Sequence, residues 1–142
     1  MNILAKTLLL SILTSKFATI IVVVGGGFIA GGFGAVDFVW IFCVAILPIG
    51  LSCFALGAIS HRLRKSEWAK WSAAILTGFI AVSFACAVMA PIVQSIQVGA
   101  DRVNVSGYIL WAPIYGLFLL PLSAPLAYWI IQLLGSWKNQ FH

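Results

Sequence analysis

Two histidines, three cysteines and three side-chain carboxylates are the chain's stock of the commonest metal ligands and acid–base groups. A zinc site or a charge-relay triad needs such groups brought close together, usually with recognisable spacing. The spacing here predicts none. Cys43, Cys53 and Cys86 lie inside apolar stretches with no Cys-x-x-Cys pattern and no neighbouring histidine, so they read as reduced, packed thiols. His61 and His142 flank apolar stretches at the end opposite to Asp37 and Asp101, which leaves no base for the serines within those stretches. There is no Gly-x-Ser-x-Gly, no His-Glu-x-x-His and no phosphate-cradling loop. The expectation is therefore no enzyme, no metal and no cofactor.

The residues that do cluster are basic. The run His61-Arg62-Leu63-Arg64-Lys65-Ser66-Glu67-Trp68-Ala69-Lys70-Trp71 holds four of the eight Lys/Arg residues, with long apolar stretches on both sides. A net charge of +5 could point to nucleic acid. Beside membrane segments, however, Arg62, Arg64, Lys65 and Lys70 are better matched to anionic lipid headgroups or an acidic partner. No nucleic-acid partner is expected.

What must position these residues is set by composition. Of 142 residues, 63% are apolar and 8% charged, far from the balance that solvates a soluble domain. A bilayer is the solvent that suits such a chain, and at roughly 20 residues per crossing the length allows about four spans. The predicted fold is all-α: one membrane domain over 1–142, an integral membrane four-helix bundle of two transmembrane hairpins. Its spans fall at about 17–36, 38–60, 71–94 and 107–134, preceded by a cytoplasmic or interfacial segment over 1–16. A lysine at the centre of a span costs about 2.5–3.5 kcal/mol, so Lys16 is expected at an interface. A long tilted helix with Lys16 snorkelling is the alternative. On the preferred placement no Asp, Glu, Lys, Arg or His enters a predicted hydrocarbon core. Asp37 marks a tight outer turn, Pro48 bends the second span, and Ser66 is an N-cap for the third.

Two features inside the spans stand out. Gly27, Gly31 and Ala35 recur every four residues and form a smooth face for helix packing. In the fourth span Pro121 and Pro125 lie one turn apart, with Tyr115, Tyr128 and Gln132 nearby, so the bent helix could line a cavity or a partner groove.

Orientation follows from charge. With both termini inside, Lys6, Lys16, Arg62, Arg64, Lys65, Lys70 and Lys138 share the cytoplasmic side, and Arg102 alone lies outside. The short loops fit a multi-pass protein of a bacterial inner membrane with a retained N-terminus. In size and hydrophobicity the chain is similar to immunity proteins against pore-forming bacteriocins, a similarity of scale that carries no residue over. The expected function is a non-enzymatic accessory subunit or partner-binding module that acts through helix–helix contacts, bacteriocin-immunity-type binding included. The alternative is a small homo-oligomeric channel or facilitator assembled through the glycine-rich first span.

Overall fold

Helix accounts for nearly every residue that the computed structural model describes, namely 9, 12–17, 19–21, 24, 25, 35–63 and 66–140, and no strand occurs among them. The elements are α1 (Ala35–Leu63), α2 (Glu67–Phe84), a π-helical turn (Ala85–Met89), α3 (Ala90–Val98), α4 (Val105–Phe118) and α5 (Leu120–Gln140). Residues 12–17 and 19–21 are also helical.

The starts and stops have local causes. Ser66 is extended at φ −146°, and its hydroxyl accepts the Ala69 N–H, capping α2. Pro91 sits in the first turn of α3, immediately after the π turn. Its ring would clash with the carbonyl four residues back, and the one-residue widening, in which the Ala90 N–H reaches the Ala85 carbonyl, makes room for it. Gly99 reverses the chain at φ +93°, a conformation that a side chain resists. Asn104 then caps α4, its Oδ1 accepting from the Gly107 N–H at 3.1 Å and the Ser106 hydroxyl at 3.0 Å. Asn104-Val105-Ser106 thus forms a helix start.

Three sequence expectations meet a different geometry. Asp37 lies within the first turn of α1 and is helical rather than part of a turn. The break in the last apolar stretch falls at Leu119, where α4 and α5 meet at 69°. Pro121 is then in the first turn of α5, where its missing N–H costs least, while Pro125 lies further inside the helix. Lys16 is placed beside α1, as described below.

α2 and α5 form the centre of the packing. Cys53 and Leu56 of α1, Ala74 of α2, and Ala127, Ile130, Ile131 and Leu134 of α5 make one buried cluster. Two glycines set how closely the helices approach. A Cβ at Gly78 would lie 2.8 Å from Ser123 Oγ and 3.1 Å from the Ser123 backbone carbon. One at Gly116 would lie 2.5 Å from Ser83 Oγ and 2.9 Å from the Phe79 ring. These are small-residue seams, which let helix backbones approach closely.

Phe42–Ile59 and Glu67–Val98 are each long and apolar enough to cross a membrane, and the bent pair Val105–Phe118 and Leu120–Trp137 makes a third if taken as one span.

Candidate functional site

Phe42, Ile46, Gly50 and Phe54 recur every four residues on α1 and therefore share one face. Opposite them lie two ladders of the same spacing, Ile12–Lys16–Ile20 and Ser15–Thr19. Between the two faces runs a cleft of about 590 Å³ lined by these nine residues. Gly50 supplies its floor. A Cβ there would stand 3.5 Å from Ser15 Oγ, in ordinary contact, so the two helical segments touch at this point and splay around it.

Polar groups of the N-terminal segment turn inward along this contact. Thr14, Ser15 and Thr19 are all buried. The Thr19 hydroxyl donates to the Ser15 carbonyl at 2.7 Å, which satisfies it without a partner from another element. Lys16 is exposed and is one of the residues lining the cleft. It stands with Gly50, thirteen residues from Leu63, which is about 20 Å along the helix at 1.5 Å per residue.

The sequence expectation put Lys16 at the boundary of an apolar segment and kept every ionisable side chain out of the apolar cores. In the structure Lys16 lines the cleft together with Gly50, which lies near the middle of Phe42–Ile59. The reason is register: the Ser15–Gly50 contact fixes which turn of α1 the lysine meets, and nothing local in the sequence specifies that contact.

Among the described residues no carboxylate lines this cleft. The chain's three are Asp37, Glu67 and Asp101. Asp37 is thirteen residues from Gly50 along α1, again about 20 Å, and Glu67 lies beyond the far end of that helix. Asp101 is in the 3-10 turn Ala100–Arg102 that precedes α4.

The sequence-selected residues form other constellations. Glu67 binds Lys70 at 2.6 Å and accepts the Tyr128 hydroxyl at 2.6 Å, and Gln132 Nε2 donates to that hydroxyl at 2.8 Å. Trp71 stacks on the Tyr128 ring with centroids 4.4 Å apart. Tyr128, Gln132 and Lys70 thus join into one clamp between α2 and α5. Tyr115 stays apart on α4, tilted against Trp111, and Pro121 and Pro125 are exposed. Tyr108 ties α4 to α3 by donating to Gln94. Arg62 is exposed at the end of α1. Gly27, Gly31, Arg64 and Lys65 lie outside the described residues, and Ala35 is the first residue of α1.

No family model, curated protein or solved structure matches this chain. The reading of the site therefore rests on its own chemistry. Clamp and cleft differ in what they leave open. In the clamp, Glu67 is engaged by Lys70 and Tyr128, so it is a structural tie. Among the described residues the cleft combines apolar walls, a close contact at Gly50 and one cation, Lys16.

Proposed function

We propose that this chain is a four-span bacterial inner-membrane protein with both termini inside, and that it works without catalysis by receiving a helix of another membrane protein in the cleft beside α1. The observation that carries this reading is Lys16, exposed and lining an apolar cleft together with Gly50 near the middle of α1. Ionisable groups at such depth are expensive and mark sites where something is bound or moved. The cleft is not closed off from the surface, and its ladders of four-residue spacing match the ridges of another helix.

Charge supports the orientation. Placing Lys16 within the first crossing removes it from the cytoplasmic set, and six basic residues still face one outside. Trp68, Trp71 and Trp137 suit the inner headgroup belt, and Trp40, Tyr108 and Trp111 the outer one.

A photo-crosslinking amino acid at Ile46, with Ile109 of α4 as the lipid-facing control, tests the reading in native membranes. The expected result is a discrete protein adduct from position 46 and none from 109, with the attachment point mapped by mass spectrometry to a membrane-spanning helix. Lipid adducts alone at both positions would contradict it.

A further inference from the structure

Lys16 brings a positive charge to a level of α1 where no carboxylate lies among the described residues. At the bilayer centre an ammonium costs several kcal/mol unless it is paired, solvated or drawn to the headgroups. Ser15 and Thr19 do not provide that pairing, since both hydroxyls are buried along the helix contact and Thr19 donates to its own helix.

Three sources of a counter-charge can be weighed. The chain's own side chains fail, because Asp37, Glu67 and Asp101 all lie towards or beyond the ends of their helices. A second copy fails for the same reason, as it carries the same three acids at the same depths. A lipid phosphate stays in the headgroup layer, about 15 Å from the midplane, which the four-carbon stem of a lysine does not span. What remains is a carboxylate on a different protein, held at mid-depth by a transmembrane helix that lies in the cleft.

We propose that Lys16 anchors an Asp or Glu side chain carried near the middle of a partner's transmembrane helix. This deepens the partner-binding reading and rests on it. Phe42, Ile46 and Phe54 give the helix an apolar bed, and the low local dielectric makes the ion pair the main discriminator between helices that carry a central acid and those that do not.

The test keeps the crosslinker at Ile46 in the full-length protein in native membranes and compares Lys16, Lys16→Met and Lys16→Arg. Methionine keeps the stem and removes the charge, and arginine restores it. The expected result is a mapped adduct whose yield falls about tenfold with methionine and recovers at least half with arginine, corresponding to about 1.4 kcal/mol. The crosslinked helix should contain an Asp or Glu, and its replacement by Asn or Gln should cause the same loss. An equal yield from Lys16→Met, or a crosslinked helix without an acid, overturns the charge pairing while leaving the partner-binding reading in place. Absence of any protein adduct in all three forms overturns both. Because an unfolded variant would also lose the adduct, a second crosslinker at Ile92 of α3 reports whether each form retains the lipid contacts of the native bundle.

Discussion

Tyr128 is held twice, by its ring against Trp71 and by its hydroxyl between Glu67 and Gln132. The two attachments can be separated. Tyr128→Phe keeps the stack and removes both hydroxyl contacts, whereas Tyr128→Ala loses everything. Stacked aromatic pairs contribute about 0.5–1.5 kcal/mol beyond the area they bury. Thermal unfolding in mild detergent should therefore show the alanine form clearly less stable than the phenylalanine form; equal losses would mean that the stack contributes nothing. Part of this clamp was readable in the sequence, since Tyr128 and Gln132 are one helical turn apart. Glu67 was not, because its bond to Tyr128 spans 61 residues and only tertiary packing joins them. Lys16 repeats the lesson. Its identity was plain, but its depth depends on a distant Gly50.

At the level of elements, the seams at Gly78 and Gly116 look alike and should behave differently. Alanine in place of a helical glycine gains up to about 1 kcal/mol of helix propensity. Against that, overpacking costs about 1–3 kcal/mol where the neighbour cannot yield. The Cβ of Gly78→Ala meets the backbone of Ser123 and Ala124 at 3.1 and 3.2 Å, which can move only if α5 moves. That of Gly116→Ala meets a serine hydroxyl and the Phe79 ring, which can rotate. Gly78→Ala should lower stability, and Gly116→Ala should change it by less than half as much, by the same unfolding measurement. Ser83 and Ser123 sharpen the comparison, because their buried hydroxyls have no hydrogen-bond partner. Ser123→Ala is expected to be neutral or stabilising, since it removes a buried polar group that nothing satisfies.

The helical type of the apolar stretches and the Ser66 cap were legible, since both follow from local chemistry. The π turn at Ala85–Met89 and the break at Leu119 were not. The sequence shows prolines, and whether a proline bends a helix or starts a new one depends on which neighbours take up the freed carbonyls.

For the whole molecule, hydropathy and charge carried the argument, and both are sums that tolerate local errors. They read an all-helical chain with segments fit to cross a membrane, and that much the structure has. Pairing of the N-terminal segment with α1 through Ser15 and Gly50 was out of reach, because small residues permit close approach without naming a partner. The proposed topology predicts that reporter fusions placed after residue 66 and at residue 142 are both intracellular, and export of either would reverse the side assignments. Depth is the quantity on which the functional reading turns. It can be measured by placing a single cysteine at Lys16 in a chain whose Cys43, Cys53 and Cys86 are replaced by alanine, then adding a membrane-impermeant maleimide to each side of sealed vesicles. The account predicts no labelling at position 16 from either side until detergent is added, alongside rapid labelling of a control cysteine at Ser66 from the cytoplasmic side. Labelling at position 16 as fast as at position 66 would put the lysine in water and contradict the account.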